Sequence, residues 1–206
     1  MKLLSKVSFS TKYLMEKSQT TKFWRGRLPH WEIKDASYFV TLRLSGSLPL
    51  FLKKELKQSL GNAQNEGWAE KSREYFLKLE AWLDKDHASN YLTNSNVAHM
   101  IMMAFQEYER RSIWKVHSYV IMPNHLHWFF TPVNQPMSES ILNFKRYTAR
   151  RANKILNLTG KRFWQAEWFD HWSRSAEENE RIISYIRNNP VKAGLVYNPE
   201  DWPYVK

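Results

Sequence analysis

Trp114-Lys115-Val116-His117-Ser118-Tyr119-Val120-Ile121, followed by Met122-Pro123-Asn124 and then His125-Leu126-His127-Trp128-Phe129-Phe130-Thr131, runs unbroken through the middle of this 206-residue chain. Both arms are dense in β-branched and aromatic residues, which favour a pleated, half-buried surface. Pro123-Asn124 supplies the turn, so the stretch reads as an antiparallel hairpin. Upstream, Tyr38-Phe39-Val40-Thr41-Leu42-Arg43-Leu44 is a further strand that stops at Ser45-Gly46-Ser47. Helical spacing appears on either side of the hairpin. From Leu50 to about Asp86, Leu52, Leu56 and Leu60 share one face, and Tyr75, Phe76, Leu79 and Leu83 form a second stripe beyond Gly61 and Gly67. Asn96 to Arg111 carries Val97, Met100, Ile101, Ala104, Phe105 and Tyr108 on one side. A helix starts near Ser138 and runs past Arg150 to about Leu156, and another spans Glu177 to Asn189, with Pro190 as its expected stop. Arg162-Phe163-Trp164 and Trp168-Phe169-Asp170-His171-Trp172 read as short strands or loops. The pattern predicts an α+β domain, one antiparallel sheet with helices packed on it.

Composition narrows the function. The chain holds 31 Lys+Arg against 20 Asp+Glu, a net charge of +11, with 15% aromatic residues and no cysteine. The missing thiols exclude disulfides, thiolate catalysis and Cys-ligated metal centres. The basic, aromatic balance suits a protein that meets a polyanion and stacks on bases. No apolar run approaches the ~18–20 residues a membrane span needs. The expectation is a soluble, cytoplasmic, nucleoid-associated protein with no membrane partner, acting as a monomer or homodimer. The first 27 residues read as an N-terminal arm rather than a signal peptide, lacking a continuous apolar core and a small-residue cleavage site.

Three groups of residues could carry chemistry. His125 and His127, two apart on a strand, point to one face about 6–7 Å apart, a spacing at which two imidazoles can hold one divalent ion. Tyr185 and Asn189, four apart on a helix, share a face, and a tyrosine hydroxyl beside a metal can act as a nucleophile toward phosphate. Lys145, Arg146, Arg150, Arg151, Lys154, Lys161 and Arg162 form a basic segment with no acid between Ser140 and Ala166, followed by Phe163, Trp164 and Trp168. Basic groups hold phosphates and aromatic rings stack unpaired bases. Tyr147, inside the basic helix, is a rival nucleophile, but its i+4 neighbour is the cation Arg151. Asp170 and His171 are candidates for supporting the site or touching substrate. Each group also has an ordinary structural explanation: exposed histidines near a turn, a core tyrosine with a capping asparagine, a solvated helix face.

Together the residues resemble a known family. Met122-Pro123-Asn124-His125-Leu126-His127 is similar to the His-hydrophobic-His signature of HUH single-strand DNA endonucleases. The closer resemblance is to the REP-associated tyrosine transposases, relatives of the single-tyrosine insertion-sequence transposases. Tyr38-Phe39-Val40-Thr41, Phe163-Trp164-Gln165 with Phe169-Asp170-His171, and the run from Tyr185-Ile186-Arg187-Asn188-Asn189-Pro190 to Val196 resemble three further family blocks in the same order. The resemblance spans residues 28–206. It implies a ferredoxin-like or RRM-like HUH core, here with a helical insertion at about 48–92. It further implies that His125, His127 and Asn189 ligate Mg²⁺ or Mn²⁺, and that Tyr185 nicks and rejoins single-stranded DNA beside a REP-type hairpin through a 5′-phosphotyrosine link. The alternative is a hairpin-DNA-binding protein that does not cleave. An RNA-binding module on a similar sheet has no need of two histidines at the start of a strand.

Overall fold

In the computed structural model, described for residues 19–26, 28–49, 51, 54, 68–85 and 89–206, the hairpin forms one half of the four-stranded sheet. Its arms are β4 (Trp114–Ile121) and β5 (His125–Pro132). The strand read at Tyr38 is β3 (Tyr38–Arg43), antiparallel to β5 with Thr41 opposite His127 and Arg43 opposite His125. The fourth strand, β6 (Phe169–Trp172), pairs antiparallel with the other edge of β3, giving the order β4-β5-β3-β6.

A separate two-stranded ribbon joins β1 (Thr20–Arg25) to β2 (Pro29–Ile33). Residues 20–25 of the expected N-terminal arm are therefore a strand; residues 1–18 lie outside the described residues. Thr20 to Arg25 is largely exposed, so no alternating burial pattern marks it in the sequence. The ribbon is tied to the domain at Gly26, where a Cβ would collide with Glu167 Oε1, and Leu28 N donates to the same carboxylate at 3.0 Å.

Helices cover both faces of the sheet. The α-helices whose bounds are described are α1 (Trp68–Leu83), α2 (Ser95–Arg110), α3 (Met137–Ile155) and α4 (Ala176–Lys192). Because side chains alternate along a strand, each face is built from every second residue. Val40, Leu42, Leu126, Trp128 and Phe130 pack against Ile101, Phe105 and Phe144 of α2 and α3. Phe39, Val120, Phe129 and Phe169 pack against Phe76 and Leu79 of α1 and Ile182 and Ile186 of α4. The helical stripe of Leu52, Leu56 and Leu60 falls outside the described residues, whereas the Tyr75, Phe76, Leu79, Leu83 stripe is the buried face of α1.

The helix starts follow local chemistry. Asn94 caps α2 by accepting from Asn96 N at 3.0 Å and Val97 N at 3.2 Å, and Ser175 caps α4 by accepting from Glu178 N at 3.1 Å. The end of α4 departs from the expectation that Pro190 stops it. The helix continues to Lys192 with Pro190 inside. Gly194, at φ +70°, makes the stop, with Gly194 N on Val191 O at 3.0 Å and Leu195 N on Pro190 O at 2.9 Å. That pair of bonds is a Schellman closure. In the last turn a proline forfeits one hydrogen bond, and the carbonyl it contributes is used by the closure.

Candidate active site

His125 and His127 stand on the α1/α4 face of β5, fully buried, with their Nε2 atoms 3.1 Å apart. Each ring is fixed from behind through Nδ1. Asn124 Oδ1 lies 2.6 Å from His125 Nδ1, while Asn124 Nδ2 donates to Leu83 O at 3.1 Å. The acceptor Oδ1 calls for a proton on His125 Nδ1, which leaves a lone pair on Nε2. Thr41 Oγ1, across the β3–β5 register, lies 2.9 Å from His127 Nδ1. Phe39 stacks on the His127 ring at 5.3 Å between centroids. Both imidazoles thus present Nε2 to the same point, the arrangement by which outer hydrogen bonds orient metal-ligating histidines.

The third group at that point is Glu80, from α1. Its Oε2 is 3.2 Å from His127 Nε2, and its other oxygen is buried without a hydrogen-bond partner. Ligand atoms of Glu80, His125 and His127 all lie within 4.8 Å of one another, so the three could hold a metal ion. Burial alone would raise the Glu80 carboxyl, but the charge and hydrogen bond of His127, with smaller contributions from His125 and Lys192, bring it down to about 2. Burial, then the neighbouring His127, hold His125 at about 3. Near neutral pH the site therefore holds an ionised carboxylate beside a neutral His125, the protonation states that bind metal.

Tyr185 enters from α4. Its hydroxyl donates to Glu80 Oε2, and its ring lies 5.7 Å from that of His127 and 5.9 Å from that of Phe39. Burial pushes the phenol well above its ordinary value, and the Glu80 carboxylate adds to the rise. Asn189, one turn further along α4, lies close enough to Tyr185 to oppose that rise, yet makes no hydrogen bond of good geometry. Its Oδ1 and Nδ2 are both buried without a partner. A buried amide left unpaired is costly and marks a position where a ligand can be received.

Residues 81–189, just over half of the chain, match the family described as IS200-like transposases. The chain belongs to the IS200-like transposase family. A REP-associated tyrosine transposase of Escherichia coli (strain K12) is 25% identical over 137 residues, covering 64% of this chain and 79% of that protein. A solved REP-associated tyrosine transposase, bound to a REP hairpin, shares the fold, with a TM-score of 0.56 at 19% identity over 90% of this chain and 82% of the other. The antiparallel sheet flanked by helices is the architecture this chain shares with that structure.

In this transposase the tertiary structure gathers some of the sequence-read residues and separates others. His125, His127, Tyr185 and Asn189 come together on one face of the sheet. Tyr147 sits on α3, which packs on the opposite face, exposed and with Arg151 5.5 Å from its ring. Asp170 and His171 point to opposite sides of β6. Asp170 pairs with His30, and His171 Nε2 lies 2.9 Å from Glu178 Oε1. Of the basic segment, Arg146, Arg150, Arg151, Lys154, Lys161 and Arg162 are exposed. Lys145 is buried and donates to the carbonyls of Gln165, at 2.9 Å, and Ala166, at 2.5 Å; burial lowers its ammonium to about 8. Phe163, Trp164 and Trp168 are core residues and not a surface for bases. Trp164 Nε1 donates to Thr148 Oγ1 at 2.9 Å.

Glu80 is the residue that sequence reasoning missed. It lies in the stretch read as an insertion, and no motif surrounds it. Its one signal is an acid between Leu79 and Leu83 on the apolar stripe of α1, a place where a carboxylate is buried only if it has a partner.

Proposed function

We propose that this transposase nicks and rejoins single-stranded DNA next to an imperfect, REP-type hairpin through a covalent 5′-phosphotyrosine at Tyr185. The observation that carries the reading is the convergence of the Tyr185 hydroxyl, two imidazole Nε2 atoms and the Glu80 carboxylate in one buried cluster. In the reaction the Tyr185 oxygen bonds to the scissile phosphorus and the bond from phosphorus to the 3′-oxygen breaks. The phenolic proton passes along the existing hydrogen bond to Glu80, the departing oxygen takes a proton from water to become a 3′-hydroxyl, and the proton that Glu80 then releases restores that water. Glu80, held near pH 2, accepts that proton only in step with bond formation, because a phenolic oxygen becomes strongly acidic as it joins phosphorus. Rejoining reverses each change. The phosphodiester is conserved throughout, so no nucleotide cofactor is consumed.

His125, His127 and Glu80 would hold a divalent ion, with the unpartnered Asn189 Oδ1 as a further ligand. The ion would supply positive charge against the phosphate as the transition state forms. A set of two imidazoles, a carboxylate and an amide oxygen fits Mn²⁺ better than Mg²⁺, which prefers an all-oxygen shell. The exposed cations of α3 and the loop after it, Arg146, Arg150, Arg151, Lys154, Lys161 and Arg162, would lie along the DNA backbone. The test is incubation with a hairpin-bearing single strand and Mn²⁺, followed by a denaturing gel. A protein–DNA adduct that disappears in Tyr185→Phe is the expected result. Hairpin binding without any adduct would make the protein a binding module instead.

A further inference from the structure

Lys192 occupies the last turn of α4, seven residues after Tyr185 and so on the same side of the helix. Its ammonium lies 5.6 Å from the centre of the Tyr185 ring and 2.6 Å from Asp84 Oδ2. A third of its side chain is exposed, against 8% of Tyr185 and none of His125, His127 or Asn189. Its charge is felt at Glu80 and at His125. Lys192 is thus a solvent-reachable cation at the rim of an otherwise buried cluster. Asp84, its partner, follows the last residue of α1, the helix that carries Glu80. The ion pair therefore ties α4 to α1 across the rim.

We propose that Lys192 is the group that holds the scissile phosphate, exchanging Asp84 for a non-bridging phosphate oxygen when the DNA enters. A carboxylate oxygen and a phosphate oxygen make the same kind of charge-assisted hydrogen bond to an ammonium, so Asp84 keeps the cation in place until the phosphate replaces it. From the side of the Tyr185 ring, Lys192 draws the phosphate toward the hydroxyl and offsets charge that accumulates on its oxygens during transfer. The exchange also releases the tie between α1 and α4, so the phosphate opens the rim it must pass. This role rests on Tyr185 as the attacking group.

The experiment compares a hairpin-bearing single strand carrying a normal phosphodiester at the cleavage position with one carrying a methylphosphonate there, which lacks the negative oxygen. Adduct formation is measured for wild type, Lys192→Met, Lys192→Arg and Asp84→Asn. Lys192→Met is expected to slow the phosphodiester reaction by roughly 10²-fold, the usual loss for one donor to a developing charge, and to slow the methylphosphonate reaction only a few-fold. Comparing the two linkages within one preparation cancels any loss of folded protein. Lys192→Arg should restore most of the rate, and Asp84→Asn should slow the phosphodiester reaction far less than Lys192→Met does. An equal penalty on both linkages would make Lys192 a helix-end structural residue and overturn its role while leaving Tyr185 untouched. An Asp84→Asn loss as severe as that of Lys192→Met would overturn the exchange. A wild type that forms no adduct at all overturns the nucleophile and the lysine together.

Discussion

The two faces of the central sheet use the same strands for opposite purposes. On the α2/α3 face, β3 and β5 present Tyr38, Val40, Leu42, Leu126, Trp128 and Phe130, all essentially inaccessible and all apolar apart from one indole nitrogen and the Tyr38 hydroxyl, which donates to Ile33 O at 3.1 Å. On the α1/α4 face the intervening residues are Phe39, Thr41, Arg43, His125, His127 and Phe129, just as buried but mostly polar or ionisable. One face gains its stability from apolar burial, at about 25 cal/mol per Å². The other gives up part of that gain to bury two imidazoles, a carboxylate, a phenol and an amide, and it limits the loss by pairing most of them. What remains unpaired among these groups, one Glu80 oxygen and the Asn189 amide, is concentrated where the chemistry would occur. The contrast teaches that a single alternating strand can serve packing with one set of residues and reaction with the other.

The largest expected effects come from breaking each face in its own way. Trp128→Ala should cost about 3–5 kcal/mol through lost burial and the cavity left behind, read as a lower urea midpoint. Tyr185→Phe, on the other face, should abolish the adduct while hairpin binding stays within a few-fold of wild type. A Trp128→Ala protein of wild-type stability would contradict the division.

His125→Ala and His127→Ala should each eliminate Mn²⁺-dependent cleavage. They should also erase the rise in melting temperature that Mn²⁺ produces in the wild type, since a ligand that binds only the folded state stabilises it. Chelation should return the wild type to the same lower melting temperature. A His125→Ala variant that still cleaves would remove that ring from the ligand set.

Acid should distinguish the faces more gently. His125, at about 3 when folded against an ordinary 6.5, binds fewer protons in the folded than in the unfolded chain. Its contribution to stability is present above pH 6.5 and is lost as pH falls toward 3. Glu80, at about 2 against 4.5, adds a second loss below pH 4.5. Urea midpoints should therefore fall between pH 6.5 and 4.5, and His125→Asn should flatten that fall. Trp128→Phe, which titrates nothing, should leave its slope unchanged.

The smallest effect separates exposed from buried cations on α3. Replacing Arg150, Arg151 and Lys154 together should weaken hairpin binding and reduce the slope of log affinity against log salt by about 0.7–0.9 for each phosphate no longer neutralised. Lys145→Met should lower stability, because the carbonyls of Gln165 and Ala166 lose their donor, and leave the salt slope as it was.

Much of this was readable in the chain itself. The hairpin, β3, the apolar stripes of α1 and α2, the start of α3 and the bulk of α4 follow from periodicities of 2 and 3.6 that local sterics and burial impose. His125 with His127, and Tyr185 with Asn189, could be paired because each spacing lies within one regular element, where geometry converts sequence distance into direction. Beyond one element that conversion fails. Glu80 joins the histidines, Lys192 meets Asp84 and Lys145 turns inward to two carbonyls only because α1, α4 and the loop before β6 pack where they do. Nor does local spacing decide between Tyr185 and Tyr147 by position: the sheet lies between them, and which face a helix covers depends on the path of the whole chain. The amino-acid sequence by itself determined the elements and the residues each one aligns. The tertiary structure alone decided which aligned sets face one another, because a buried charge is stabilised by partners from other elements.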